Sequence, residues 1–273
     1  MAFSIMLRTF HHDHPIRLRQ QVPVCIAGMH RSGTSMVARL LQACGLFLGR
    51  EEELGFDSNY GEPHFENVRF VMLNDEILSR LGGSWNDPPK LPKGWEDTAE
   101  LAALRSQAKK LIKRLSIQDY WGWKDPRNSL TLTFWRKIVP DLRLVICLRN
   151  PLEVLHSLRV RGDLIGIPLF QLWVTYYREL FSAVPPELRV VTHYQSYFQD
   201  PTAELQRVAK AIGMEVSSDV INRACAHISG DLRHHRAMTT ELAAIDESDE
   251  VLAMYEQLCR EAGQVYEHHL ALE

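Results

Sequence analysis

No run of 18 or more apolar residues occurs in the 273-residue chain, so nothing in it reads as a membrane-spanning helix. It also lacks a dominant charge, since 31 Lys and Arg against 34 Asp and Glu leave a net −3. That balance removes the electrostatic case for nucleic acid or an anionic membrane surface as the main partner. Any bound anion must be held by local arginines and backbone amides. Cysteine is sparse at five, with no C-x-x-C pair and no Cys/His spacing suited to zinc. Cys25 and Cys147 sit in strand-like apolar runs, Cys44 and Cys259 in helical patterns, and all five read as reduced thiols. The first 21 residues are too polar for a signal peptide, which sets the expectation of a cytoplasmic protein. Internal repeats and low-complexity tracts are missing too.

The most informative lack is a single lysine. Residues 22–41, VPVCIAGMHRSGTSMVARLL, read as a short apolar strand, a tight loop and a helix opening on hydroxyls. The loop from Gly28 to Ser35 keeps the two-glycine frame G-x-x-x-x-G-K-[ST] of a phosphate cradle, but Thr34 stands where the lysine belongs. Arg31, inside the loop, is the basic residue present. Amides at a helix start, the hydroxyls of Thr34 and Ser35, and one arginine suit an oxyanion. The bland alternative is an ordinary strand–turn–helix with a Ser/Thr cap.

What is present is an ordinary globular composition, 45% hydrophobic and 24% charged. Residues 1–20 read as a loose leader and 21–273 as a single domain. Strands are expected at 22–27, 121–124, 142–148 and 188–192, and helices at 34–44, 64–81, about 96–117, 129–138, 151–160, 168–183 and 201–212. Residues 49–63 read as a polar surface loop, and 84–95, with Pro88, Pro89 and Pro92, as irregular. Alternating strands and helices imply an α/β fold: three layers, with a central parallel sheet flanked by helices.

Three further groups carry chemistry. Arg149 follows the strand 142–148, where open α/β sheets place ligands, and Ser157 lies eight residues on. Lys124, in Trp-Gly-Trp-Lys-Asp-Pro-Arg, ends another strand. It either faces the same crevice or forms a surface ion pair with Asp125 or a nearby acid. A proton acceptor is sought in Glu62 and Glu66 of Gly61-Glu-Pro-His-Phe-Glu66, or in the cluster Glu51–Glu53. Glu66 also suits a helix start. His193 is a weaker candidate, and the other histidines lack zinc spacing. Trp85, Trp95, Tyr176 and Tyr177 offer rings for stacking, or simply core.

The loop His30-Arg-Ser-Gly-Thr-Ser35, with Arg149 and Ser157, resembles the two nucleotide-binding motifs of sulfotransferases that use 3′-phosphoadenosine 5′-phosphosulfate (PAPS). Thr192-His-Tyr-Gln-Ser-Tyr-Phe-Gln-Asp-Pro201 is similar to a further segment of that family, although Gln195 replaces the usual acid. The resemblance spans about residues 22–236 and leans toward the carbohydrate and tyrosylprotein enzymes. It implies a P-loop-like fold and sulfuryl transfer to a hydroxyl or amine of a saccharide, lipid-linked sugar or small molecule. Arg31, Ser32, Gly33, Thr34 and Ser35 would bind the 5′-phosphosulfate, and Arg149 and Ser157 the 3′-phosphate. Lys124 would act as transition-state cation, with Arg31 beside it, and Glu62 or Glu66 as base. Glu62 matches the base of a Lys-Glu-Pro-His-Phe-Phe motif, with Gly61 in place of its lysine. The basic stretch Arg233–Arg236 would close over the nucleotide or stay a solvated loop. No metal is implied, because a single phosphosulfate needs no magnesium chelate, and the missing lysine is thereby explained. The alternatives are a small-molecule kinase and a non-catalytic nucleotide-binding member of the fold. Oligomeric state and acceptor identity are not encoded legibly.

Overall fold

A computed structural model of the chain describes residues 21–57, 62–160, 168–226, 228 and 249–263. In chain order the first half comprises β1 (Val22–Ala27), α1 (Thr34–Ala43), β2 (Leu54–Asp57), β3 (Glu62–Asn67), α2 (Val68–Arg80), α3 (Ala102–Leu115) and β4 (Tyr120–Lys124). The second half comprises α4 (Asn128–Ile138), β5 (Arg143–Leu148), α5 (Pro151–Val160), α6 (Leu169–Ala183), β6 (Arg189–His193), α7 (Ser196–Gln199), α8 (Pro201–Ala211), α9 (Ser218–Cys225) and α10 (Asp249–Ala262).

The main sheet runs β4–β1–β5–β6, every pair parallel. Its strands are apolar on both faces because helices cover both. Side chains alternate along each strand, so Cys25 and Ala27 of β1 join one core while Val24 and Ile26 join the other. The first core holds Trp121 and Trp123, Leu144 and Ile146, and the inner faces of α2, α3, α4, α6 and α10. The second holds Val145 and Cys147 with the inner faces of α1, α8 and α9. This is the three-layer arrangement the alternating pattern implied. All five cysteines are buried thiols. Among the described residues no helix is long and apolar enough to cross a membrane.

Three expectations need correction. Residues 49–63 are not simply a loop: a short 3₁₀ turn at Glu51–Glu53 leads into β2, which pairs antiparallel with β3. The helix expected from residue 64 starts only at Val68. Residues 62–67 are extended instead, and Phe65 has φ 57°, which no α-helix accommodates. Asn67 then caps α2, its side-chain oxygen accepting from Arg69 N at 3.1 Å. Long-range pairing with β2 overrode an apolar periodicity that continued backward past the true cap. The helix expected over 96–117 is also shorter, as two 3₁₀ turns precede α3.

Candidate functional site

β1 ends in the loop that sequence singled out, and two glycines give the loop its shape. Gly28 (φ 138°) passes so close to β5 that a Cβ there would lie 2.4 Å from the Cys147 carbonyl oxygen. Gly33 (φ 90°) is the N-cap of α1, and a Cβ on it would meet the Tyr194 ring at 2.5 Å. Arg31 also takes a left-handed backbone, φ 68°. Ser32 turns inward, its hydroxyl donating to the Met29 carbonyl at 2.6 Å. The loop backbone is thus wrapped over the start of α1, where the N–H groups lack intrahelical partners.

Two of the expected groups meet here. Arg31 Nε donates to Ser157 Oγ of α5 at 2.9 Å, although 126 residues separate them. Arg149, directly after β5, donates through Nη1 to the Arg31 carbonyl at 3.3 Å. Its Nε pairs with Glu153 Oε2 at 2.7 Å, and its guanidinium lies 4.5 Å from the centre of the Tyr194 ring. The same Tyr194 packs under Gly33. Arg31, Ser157, Arg149 and Tyr194 therefore form one wall.

The second wall is built around Lys124. Its buried ammonium donates to Ser35 Oγ at 3.1 Å, to the His64 carbonyl at 3.0 Å and to Glu66 Oε1 at 2.7 Å. Lys124 is therefore inside the site and its acid is Glu66, not Asp125. Asp125 instead accepts from Arg127 Nη1 at 3.0 Å and from Asn74 Nδ2 at 2.8 Å. Arg127 also reaches Asp75 at 2.6 Å and the second oxygen of Glu66 at 3.8 Å. Beneath them Asn74 spends its remaining capacity on Asn128, Thr131 and Trp135. These shared contacts brace the floor of the site, although Asn128 Nδ2 is buried there without a hydrogen-bond partner.

Electrostatics follow from these contacts. Burial alone would raise the Glu66 pKa, but the charge and hydrogen bond of Lys124, aided by His30 and Arg127, hold it at about 2. Burial pushes Asp125 upward against the pull of Arg127. His30 is driven down to about 3 by burial and by the cations Arg127, Lys124 and Arg31, with Glu66 opposing. Its imidazole is neutral at physiological pH. His30 Nε2 is buried with no hydrogen-bond partner, and its ring packs 4.4 Å from Trp85 and 6.0 Å from Tyr176.

The remaining candidates fall elsewhere. The Glu62 backbone lies in β3, but its side chain is outside the described residues, as are Gly61, Arg233–Arg236 and the leader 1–20. Glu53 is paired with Arg69 and Arg114, while Glu51 and Glu52 are exposed. His193 is buried against Tyr255 OH at 3.0 Å and accepts from Gln195 N. Trp95, Tyr176 and Tyr177 are core, and Trp85 is half-buried. Sequence reasoning missed Tyr194, Glu153, Arg127's triple pairing and His30. The i,i+4 spacing of Arg149 and Glu153 was available as a signal, whereas the others depend on chain crossings.

These features define the class first: an α/β protein with a phosphate-cradle loop, whose crevice gathers two arginines, a lysine and several hydroxyls. A profile described as "Sulfotransferase family" matches residues 23–218. The chain belongs to the sulfotransferase family, and sulfuryl transfer is the general reaction of its class. Among solved structures it is similar to sulfotransferase STF9 from Mycobacterium avium, 16% identical over 93% of this chain and 77% of that one, with a TM-score of 0.50. It also resembles sulfotransferase STF1 from Mycobacterium tuberculosis H37Rv (14% identity, 89% and 77% covered, TM-score 0.45). The sulfotransferase domain from the curacin biosynthetic pathway matches at 14% identity with 88% and 97% covered and TM-score 0.49. At these identities the first likeness concerns the fold alone. No curated protein matches the sequence.

Proposed function

We propose that the protein transfers a sulfuryl group from PAPS to a hydroxyl or amine of a small-molecule, saccharide or lipid-linked sugar acceptor. The observation that carries this reading is the contact of Arg31 with Ser157, which brings the loop and the segment after β5 together. The donor set fits such a co-substrate. The loop amides of Ser32, Gly33, Thr34 and Ser35, with Arg31, would hold the 5′-phosphosulfate, and Arg149 with Ser157 the 3′-phosphate. Lys124 would donate to the oxygen that bridges phosphorus and sulfur as negative charge collects there.

The acceptor oxygen forms its bond to sulfur as the sulfur–oxygen bond to the 5′-phosphate breaks. The proton it loses passes to Glu62 or Glu66. Trp85, with the segment 84–95 and α6, would border the acceptor. For a kinase, the loop lacks its lysine, and Asp125, the carboxylate at a strand end, is already engaged by Arg127 and Asn74.

Thermal unfolding tests the reading. 3′-Phosphoadenosine 5′-phosphate (PAP), the donor's product, should raise Tm by about 5 °C at a hundredfold excess over its Kd. ATP with magnesium should not match it. Stabilisation by ATP–magnesium alone would sink the proposal.

A further inference from the structure

The Lys124 ammonium has no N–H to spare. It has three donors, and Ser35, the His64 carbonyl and Glu66 take them at 3.1, 3.0 and 2.7 Å. A lysine in that state must give up a partner before it can serve a bound donor. Ser35 opens α1 beside the loop, whereas the other two partners sit together on β3. Between them lies Phe65 with φ 57°, a left-handed conformation that is costly for a bulky side chain. The bend at Phe65 brings the His64 carbonyl and the Glu66 carboxylate onto the same ammonium, and those bonds hold the bend. Arg127, 3.8 Å from the other Glu66 oxygen, keeps that carboxylate paired if Lys124 turns away.

We propose that in the free protein Lys124 is latched to β3, and that a nucleotide phosphate in the 28–35 loop draws it off Glu66 and the His64 carbonyl, releasing Glu66 to accept the acceptor's proton. This rests on the sulfotransferase reading above and assigns the base that the reading left between two glutamates. Lys124 then donates to the phosphate oxygen that receives the electron pair of the breaking sulfur–oxygen bond. Glu66, relieved of its nearest cation, takes the proton of the attacking hydroxyl and passes it to water. The latch couples release of the base to binding of the nucleotide. A base tied to Lys124 until the nucleotide arrives does not activate an acceptor prematurely.

Hydrogen exchange of the full chain with and without PAP tests the latch. Exchange in a peptide spanning 62–67 should speed up on PAP binding while the 28–35 loop slows, against the usual tightening by a ligand. Unchanged or slower exchange at 62–67, with the loop protected, would overturn the proposal. A folded Glu66→Gln variant, whose neutral amide competes less well for Lys124, should bind PAP about three- to tenfold tighter by calorimetry. Equal or weaker binding would count against the latch. If the wild-type chain binds no PAP at all, the donor assignment itself falls and takes the latch with it.

Discussion

At the scale of single residues, the site works by sharing partners. Ser157, proposed above to bind the 3′-phosphate, holds Arg31 by accepting at its hydroxyl oxygen at 2.9 Å. One lost hydrogen bond to a charged group is worth about 1.5–3 kcal/mol at most, and water replaces part of it at an exposed arginine. Ser157→Ala should therefore weaken PAP binding by about three- to tenfold, measured by calorimetry, with no loss of Tm. Unaltered affinity would remove Ser157 from the binding set. Motif spacing singled out Ser157 as a candidate, because a hydroxyl follows Arg149 there at a fixed interval, but its contact with Arg31 was not legible. Glu66 was legible only as a candidate. The contact that sets its charge state comes from β4, which the local sequence around residue 66 does not mention.

At the scale of elements, the loop between β1 and α1 is shaped by what lies behind it. Gly28 passes β5 so closely that a Cβ would overlap the Cys147 carbonyl oxygen at 2.4 Å, and backbone cannot move aside cheaply. Gly45, after α1, has φ 102° but open space around its missing Cβ. Gly28→Ala should cost about 3 kcal/mol or more, and Gly45→Ala about 1 kcal/mol, by urea unfolding. Equal losses at the two positions would mean that close approach to β5 does not shape the loop. Strand–loop–helix units of this kind were readable because their periods and glycines are local. The β2–β3 hairpin was not, since a polar turn-rich stretch carries little signal and its pairing is decided between strands. Phe65 shows the same limit: nothing in an aromatic residue announces a left-handed backbone.

For the whole molecule, gathering cations into one buried crevice has a consequence for stability against pH. The folded pKa of His30 lies at about 3 instead of 6.5, so the unfolded chain binds its proton first. Stability attached to His30 is full above pH 6.5 and is lost as pH falls toward 3. Glu66, at about 2 instead of 4.5, adds a second loss as pH falls through that lower window. His30→Phe keeps a ring between Trp85 and Tyr176 and removes the proton site. Urea unfolding of this variant should fall less steeply than wild type between pH 6.5 and 4.5, by up to about 1.4 kcal/mol per pH unit. Parallel curves would show that His30 does not titrate as described.

The sequence by itself determined the α/β layering, the phosphate-cradle loop with Thr34 where lysine was expected, and the outlying Arg149, Ser157 and Lys124. Those features are written in short periods and fixed spacings, which need no knowledge of the far side of the chain. Tertiary structure decided what those residues touch. It gave Lys124 to Glu66 and Asp125 to Arg127, brought Arg31 to Ser157, and left His30 Nε2 without a partner. Charge pairing in a buried crevice depends on which strands lie side by side, and β1 lies between β4 and β5 only because long-range burial of both sheet faces places it there.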